Sequence, residues 1–328
     1  MKPTIDNFIK FNPRVGSDSI QIIGYPGSGK TVHGISIATR CIRNGEMGLT
    51  HGDLMCEWRH FDNYNIPITL IVPEGLDIET HGDILPKFQK DQWIRRDYKT
   101  LDVTEFLTPG ELVVVYDDCM DSTSKTNLWT KIAKSLVLRN THVDKPVCYL
   151  NNEAGITYPE LAGKDQWRYL DEFAEYFVYF RKAFVRAILL SQLETEIYHR
   201  IRGKCIWKIF RIAVPGKHSI GRPVRKYARR MRRDNYHIFY GELFTPLNLN
   251  PKINEIKSIW KFLPSDLINL NGEEGIHPSS TKNELLSKAL NNLYENFSSD
   301  RQLAELTGLD FRTVQKYRKV TVYTNGDN

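Results

Sequence analysis

Apolar and polar positions alternate along this chain in two periods. Residues 20–23 form a short apolar run that feeds a glycine-rich stretch, and after it Ile35, Ala38 and Ile42 recur at helical spacing until Asn44-Gly45 supplies a stop. Further strands are predicted at 66–72, 111–118, 146–150 and 176–179, with 206–214 as the last strand of the core. Turn signals at Pro73-Glu74-Gly75 and Thr108-Pro109-Gly110 bound two of them. Leu128, Ile132, Leu136 and Val137 mark another helix, whereas 58–61 has no clear period and reads as a connecting segment with a buried aromatic. Strands interleaved with helices predict an α/β fold around a mostly parallel sheet. Residues 1–18 read as a lead-in arm, and the core is expected to span 19–240.

The chemistry starts at residues 24–31, GYPGSGKT, which satisfy G-x-x-x-x-G-K-[ST] at every fixed position between a predicted strand and a predicted helix. Gly24, Gly27 and Gly29 allow a tight turn whose N–H groups, with that of Ser28, can reach phosphate oxygens. The following helix start adds unpaired N–H groups and the positive end of its dipole. Lys30 is expected to reach the β- and γ-phosphates of ATP, and the Thr31 hydroxyl to ligate Mg²⁺. Tyr25 neither cradles phosphate nor needs to be small, so its role stays open.

Residues 111–118, ELVVVYDD, read as a buried parallel strand that ends in two carboxylates at the sheet edge. Asp117 is expected to hold the Mg²⁺ shell and Asp118 to polarise an attacking water. The strand at 146–150 ends in Asn151-Asn152-Glu153. An amide can donate to phosphate and accept from water, so Asn151 or Asn152 suits a γ-phosphate sensor, with an Asx turn or helix cap as the competing role. Arg139 and Arg181 are the arginine-finger candidates, from this chain or a neighbour.

Residues 217–233, KHSIGRPVRKYARRMRR, carry eight arginines and lysines and no acid. With Pro223 in a first helical turn, Val224, Tyr227, Ala228 and Met231 form one apolar stripe, and Arg225, Arg229 and Arg232 face outward to a polyanion or a neighbouring subunit. Residues 241–280 are rich in proline and read as a linker. A small all-α unit is expected over 281–328, where Ala304, Gly308 and Val314 have the spacing of a helix-turn-helix. Its second helix would offer Arg312, Thr313 and Lys316 to double-stranded DNA.

The 328-residue length accommodates a large domain and a small one, and the 41% hydrophobic and 26% charged content is that of a globular chain. A net charge of +6 leans mildly towards polyanions. Five scattered cysteines without a C-x-x-C pair argue for reduced thiols and against structural zinc, and His51, His60 and His81 read as ordinary histidines. No apolar run approaches a membrane span, so a soluble cytoplasmic protein is expected.

GYPGSGKT, VVVYDD and the section in which Arg139 and His142 precede a strand ending at Asn151 resemble the FtsK/HerA branch of P-loop ATPases, especially the DNA-pumping and packaging enzymes of archaea and their viruses. The resemblance covers roughly 19–215 and implies a RecA-like core working as a homo-oligomeric ring on duplex DNA. That branch commonly ends the strand after Asp-Asp in Gln, where this chain has Asn. An AAA+ origin-recognition-like initiator and an ATP-gated helix-turn-helix regulator are the alternatives.

Overall fold

The computed structural model describes residues 2–10, 16–52, 57–80, 93–139, 146–211, 236–247 and 260–263. The basic stretch with Arg225, Arg229 and Arg232, the helix-turn-helix segment with Arg312, Thr313 and Lys316, and His142 lie outside these residues.

In chain order the elements are α1 (Ile5–Ile9), β1 (Ile20–Ile23), α2 (Lys30–Arg43), β2 (Met47–Gly52), a 3₁₀ helix (Glu57–Tyr64), β3 (Ile68–Pro73), β4 (Asp77–Thr80), β5 (Ile94–Arg96) and a second 3₁₀ turn (Val103–Phe106). Then come β6 (Leu112–Tyr116), α3 (Ser122–Leu138), β7 (Val147–Asn151), α4 (Ala154–Thr157), α5 (Lys164–Tyr179), β8 (Val185–Ser191), a 3₁₀ turn (Glu194–Glu196) and α6 (His199–Arg202). The described chain closes with β9 (Trp207–Arg211), β10 (Tyr236–Tyr240), β11 (Leu243–Leu247) and β12 (Trp260–Leu263).

Among the described residues, ten strands form one sheet in the order β11-β10-β9-β1-β8-β7-β2-β6-β3-β5. From β9 to β5 every pairing is parallel, while β10 and β11 return antiparallel along β9. β4 and β12 pair in a separate two-stranded sheet. Parallel strands covered on both faces must be apolar throughout. β1, β2, β6, β7 and β8 are accordingly buried at every position.

Helix α2 lies close on this sheet because Gly34 has no side chain; a Cβ there would come within 3.0 Å of Leu190 and 3.2 Å of Leu150. Helix α3 begins at Asp121, whose carboxylate accepts from the N–H groups of Thr123 and Ser124. The amino-terminal arm contains α1, which buries Ile5, Phe8 and Ile9. The Arg186 guanidinium on β8 donates to the carbonyls of Phe8 and Ile9 and forms a bidentate pair with Glu46 at 3.1 and 3.2 Å. A buried cation is thus bound by a carboxylate and by the end of α1.

The structure corrects three expectations. Residues 176–179 are the last turn of α5, not a strand: Leu170, Phe173, Ala174 and Phe177 are buried at helical spacing, and Val178 and Tyr179 face outward. Secondly, β9 is not the last strand of the sheet, since β10 and β11 carry it on to Leu247. Thirdly, β2 and β8, which the hydrophobic pattern did not single out, lie in the middle of the sheet. Among the described residues, no helix is long and apolar enough to cross a membrane.

Candidate nucleotide site

The phosphate loop leaves β1 at its carboxyl end and enters α2 at Lys30. Gly27 and Gly29 adopt φ of 74° and 87°, the left-handed region in which a side chain would be strained. The Ser28 N–H donates to the Tyr25 carbonyl at 3.1 Å, and Lys30 Nζ donates to the same carbonyl at 3.0 Å. Tyr25 therefore closes the loop through its backbone. From β10, the Tyr236 hydroxyl donates to the Ser28 carbonyl at 3.1 Å and lies 2.8 Å from Ser28 Oγ. A strand that the sequence pattern did not predict thus braces the loop.

Lys30 and Thr31 face a cleft of about 610 Å³ whose other walls carry Glu57, Asp118, Asn152, Glu153 and Glu196. Burial lowers the Lys30 pKa, and the nearby Glu196 and Glu57 act in the opposite sense. The Glu57 carboxyl is raised by burial and by Glu153, while a hydrogen bond from Thr31 and the charge of Lys30 favour its ionised form. Asp118 is held by Lys125 Nζ at 2.9 Å. Lys125 is raised above its ordinary value because Asp117 and Asp118 outweigh its burial. Glu196 Oε2 accepts from the Gln192 N–H at 2.7 Å. The Glu153 carboxylate, exposed to the cleft, receives no hydrogen bond from the described residues.

Strand order decides how the predicted groups are shared out. β7 stands two places from β1 and β6 four. At a strand spacing of roughly 4.8 Å, the end of β7 is about 10 Å across from the loop and the end of β6 about 19 Å. Asp118 still reaches the cleft, but Asp117 is turned away from it and buried, 1% exposed. Its Oδ2 accepts from Trp129 Nε1 at 2.6 Å and contacts His51 Nδ1 at 2.6 Å. Burial works against its charge, but His51 and Lys125 with these two bonds hold the carboxyl below its ordinary value.

The two asparagines are likewise separated. Asn151 is fully buried; its Nδ2 donates to the Tyr149 hydroxyl at 2.9 Å and its Oδ1 accepts from the Glu153 N–H at 2.9 Å. That is the Asx-turn alternative. Asn152 lines the cleft with both amide atoms buried and, among the described residues, without a hydrogen-bond partner. Buried amides are normally satisfied, so this one suits a ligand.

Arg139 and Arg181 lie far from the cleft. Arg139 Nη1 contacts the Met47 sulfur at 3.7 Å, at the start of β2, and Arg181 pairs with Asp18 at 3.8 Å, before β1. Both are at the sheet edge opposite the loop. Elsewhere, Cys41, Glu46 and Cys148 place ligand atoms within 4.8 Å of one another, but the Arg186 guanidinium already fills the cation position beside Glu46.

Sequence reading missed Glu57, Glu153 and Glu196 as cleft carboxylates, and His51 and Tyr236 as supports. Glu153 alone carried a local signal, at the end of a predicted strand.

No family model matches the sequence, and no curated protein matches it. Among solved structures, the chain is similar to the genome packaging NTPase B204 from Sulfolobus turreted icosahedral virus 2 in complex with ATP-gammaS, at 15% identity over 73% of this chain and 98% of that one, with a TM-score of 0.40. It is similar to the N-terminal domain of zonular occludens toxin from Neisseria meningitidis at 12% identity, over 73% of this chain and 97% of that one, with a TM-score of 0.33. The pCW3 conjugation coupling protein TcpA, in its monomer form with ATPgS, matches at 11% identity over 75% of this chain and 68% of that one, with a TM-score of 0.40.

Proposed function

We propose that this protein binds and hydrolyses ATP with Mg²⁺ in the cleft between the phosphate loop and the end of β7, and that it couples this turnover to work on double-stranded DNA. The observation that carries the first part is the placement of Lys30 and Thr31 across the cleft from Asn152 and Glu153.

Four carboxylates and one loop lysine line this cleft, an arrangement that repels a bare triphosphate. A divalent cation resolves the conflict. Thr31, Glu57 and Asp118 supply only oxygen donors, which fit a hard ion such as Mg²⁺. When bound, Mg²⁺ supplies charge neutralisation and polarisation of the phosphates. Asp117, buried behind Asp118, acts on the site only through its neighbours.

In this reading, the loop N–H groups and Lys30 bind the phosphates, and Asn152 donates to the γ-phosphate. Glu153 accepts the proton of the attacking water. The base is Glu153 and not Asp118 because its carboxylate accepts no hydrogen bond from the described residues, whereas Asp118 is held by Lys125 and Glu57 by Thr31. The described chain brings no arginine into the cleft wall, so an arginine finger would come from a second copy, with Arg139 and Arg181 at the opposite sheet edge as surfaces from which one could be offered.

The DNA part rests on the sequence. The acid-free basic run at 217–233, with Arg225, Arg229 and Arg232, supplies salt-sensitive phosphate contacts, and the helix-turn-helix pattern with Arg312, Thr313 and Lys316 supplies groove contacts. Turnover measured on DNA of increasing length tests the motor. A translocase accelerates with length; a flat response at every length removes translocation and leaves an ATP-gated DNA-binding switch.

A further inference from the structure

Three neighbouring strands end in side chains that join into one buried line of hydrogen bonds. Asp117 follows β6, His51 is on β2, and Tyr149 and Asn151 are on β7. His51 Nδ1 meets Asp117 Oδ2 at 2.6 Å, and His51 Nε2 meets the Tyr149 hydroxyl at 2.9 Å. Asn151 Nδ2 donates to the same hydroxyl at 2.9 Å, and Asn151 Oδ1 accepts from the Glu153 N–H at 2.9 Å. Asp117, His51, Tyr149 and Asn151 are all buried.

The directions of these bonds are constrained from both ends. A backbone N–H only donates, so the Asn151 atom facing Glu153 is its carbonyl oxygen, and its NH₂ must face Tyr149. At the other end an ionised Asp117 only accepts, so His51 Nδ1 carries a proton. Trp129 and Tyr158 close the sides: the indole donates to Asp117 at 2.6 Å, and the Tyr158 hydroxyl lies 2.8 Å from that of Tyr149. The His51 and Trp129 rings pack in a tilted arrangement at 30° with centroids 3.9 Å apart, which restricts the imidazole plane. Linked bonds in a low-dielectric interior strengthen one another, and each partner lost leaves a buried polar group unsatisfied.

We propose that Asp117 and His51 are positioning residues for hydrolysis: through Tyr149 they fix the Asn151 amide, which pins the backbone at Glu153 and aims its carboxylate into the cleft. The Asp-Asp pair then divides its work. Asp118 faces the cleft, and Asp117 acts at a distance by setting the geometry of the neighbouring strand end. This inference rests on Glu153 as the group that activates water.

The test compares Tyr149→Phe, His51→Gln and Asn151→Ala, singly and as the His51→Gln/Asn151→Ala double variant, with Glu153→Gln as reference. The readouts are the turnover number, the affinity for a fluorescent ATP analogue and the melting temperature. Tyr149→Phe and His51→Gln are expected to lower kcat on the order of 10- to 100-fold, with affinity within about twofold, as supports behind a reacting group do. In the Asn151→Ala background, His51→Gln is expected to add no further loss, because the line is already cut. Unchanged kcat in both single variants, a parallel loss of affinity, or independent multiplication of the two effects overturns the inference while an inactive Glu153→Gln leaves the proposed function standing. Wild-type turnover by Glu153→Gln removes that parent reading instead. Tyr149→Phe keeps the ring that fills the site, and if His51→Gln does not fold, Tyr149→Phe with Asn151→Ala carries the same cycle.

Discussion

The ends of β6 and β7 make an instructive pair. Each strand is parallel, buried at every position and finished by polar residues. β6 ends in the denser charge, Asp117-Asp118, and β7 in two amides and one acid. The weaker-looking end is the better placed. Only β8 stands between β7 and β1, whereas β8, β7 and β2 all stand between β6 and β1. Charge written in the sequence identifies groups able to do chemistry, and strand order decides which of them stands nearer the glycine-rich loop.

The largest effect is common to both ends: Lys30→Ala is expected to abolish nucleotide binding and reduce turnover by on the order of 10²–10³-fold, measured by analogue binding and phosphate release. If Lys30→Ala left both intact, neither strand end would face a phosphate site. Next comes Asn152→Ala, which acts at the β7 end alone and is expected to lower kcat by about 10- to 100-fold with the fold unchanged, since one donor to the reacting phosphate is lost.

At the β6 end, Asp117→Asn is expected to show itself in stability as well. It removes a buried charge that Trp129 and His51 address, at a cost of about 3 kcal/mol read from the denaturant midpoint. Asn152→Ala should leave that midpoint near wild type, so the two variants separate a strand end that supports from one that reacts.

The smallest effect is on pH dependence. Burial lowers the Lys30 pKa from its ordinary 10.5, so the protonated form, to which the proposed function gives the phosphates, is lost at a lower pH than for a free lysine. The alkaline limb of kcat/KM, which reports the free enzyme, should therefore fall below pH 10.5 and move upward in Lys30→Arg.

How much of this could be read from the sequence depends on how local each feature is. The phosphate loop was legible because its glycines, Lys30 and Thr31 are contiguous. β6 and β7 were legible as strands because each is an apolar run. β2 was not: MGLTHG breaks the pattern with Gly48 and Gly52, and a Cβ at Gly48 would lie 2.9 Å from the Glu111 backbone carbonyl. β8 carries Arg186 near its start, a charge that signals surface until Glu46 and the end of α1 are seen around it. Residues 176–179 are β-prone in isolation, and only the buried series back to Leu170 reveals the helix. Of the site, Asn151 and Asn152 were indistinguishable in sequence because a one-residue step at a strand end turns one amide inward and the next into the cleft. Glu57, Glu196 and Tyr236 reach the loop from segments far away in the chain, with nothing local to mark them.

The central claim is that hydrolysis belongs to the β7 end. Single-turnover hydrolysis of pre-bound ATP by Glu153→Gln and Asp118→Asn, side by side, tests it most directly. Glu153→Gln is expected to bind ATP as wild type does and to hydrolyse it on the order of 10²–10⁴-fold more slowly, as when a general base is removed, while Asp118→Asn, which keeps an oxygen donor for the cation, stays within about tenfold of wild type. Rapid hydrolysis by Glu153→Gln together with an inactive Asp118→Asn would contradict it and return the chemistry to the end of β6.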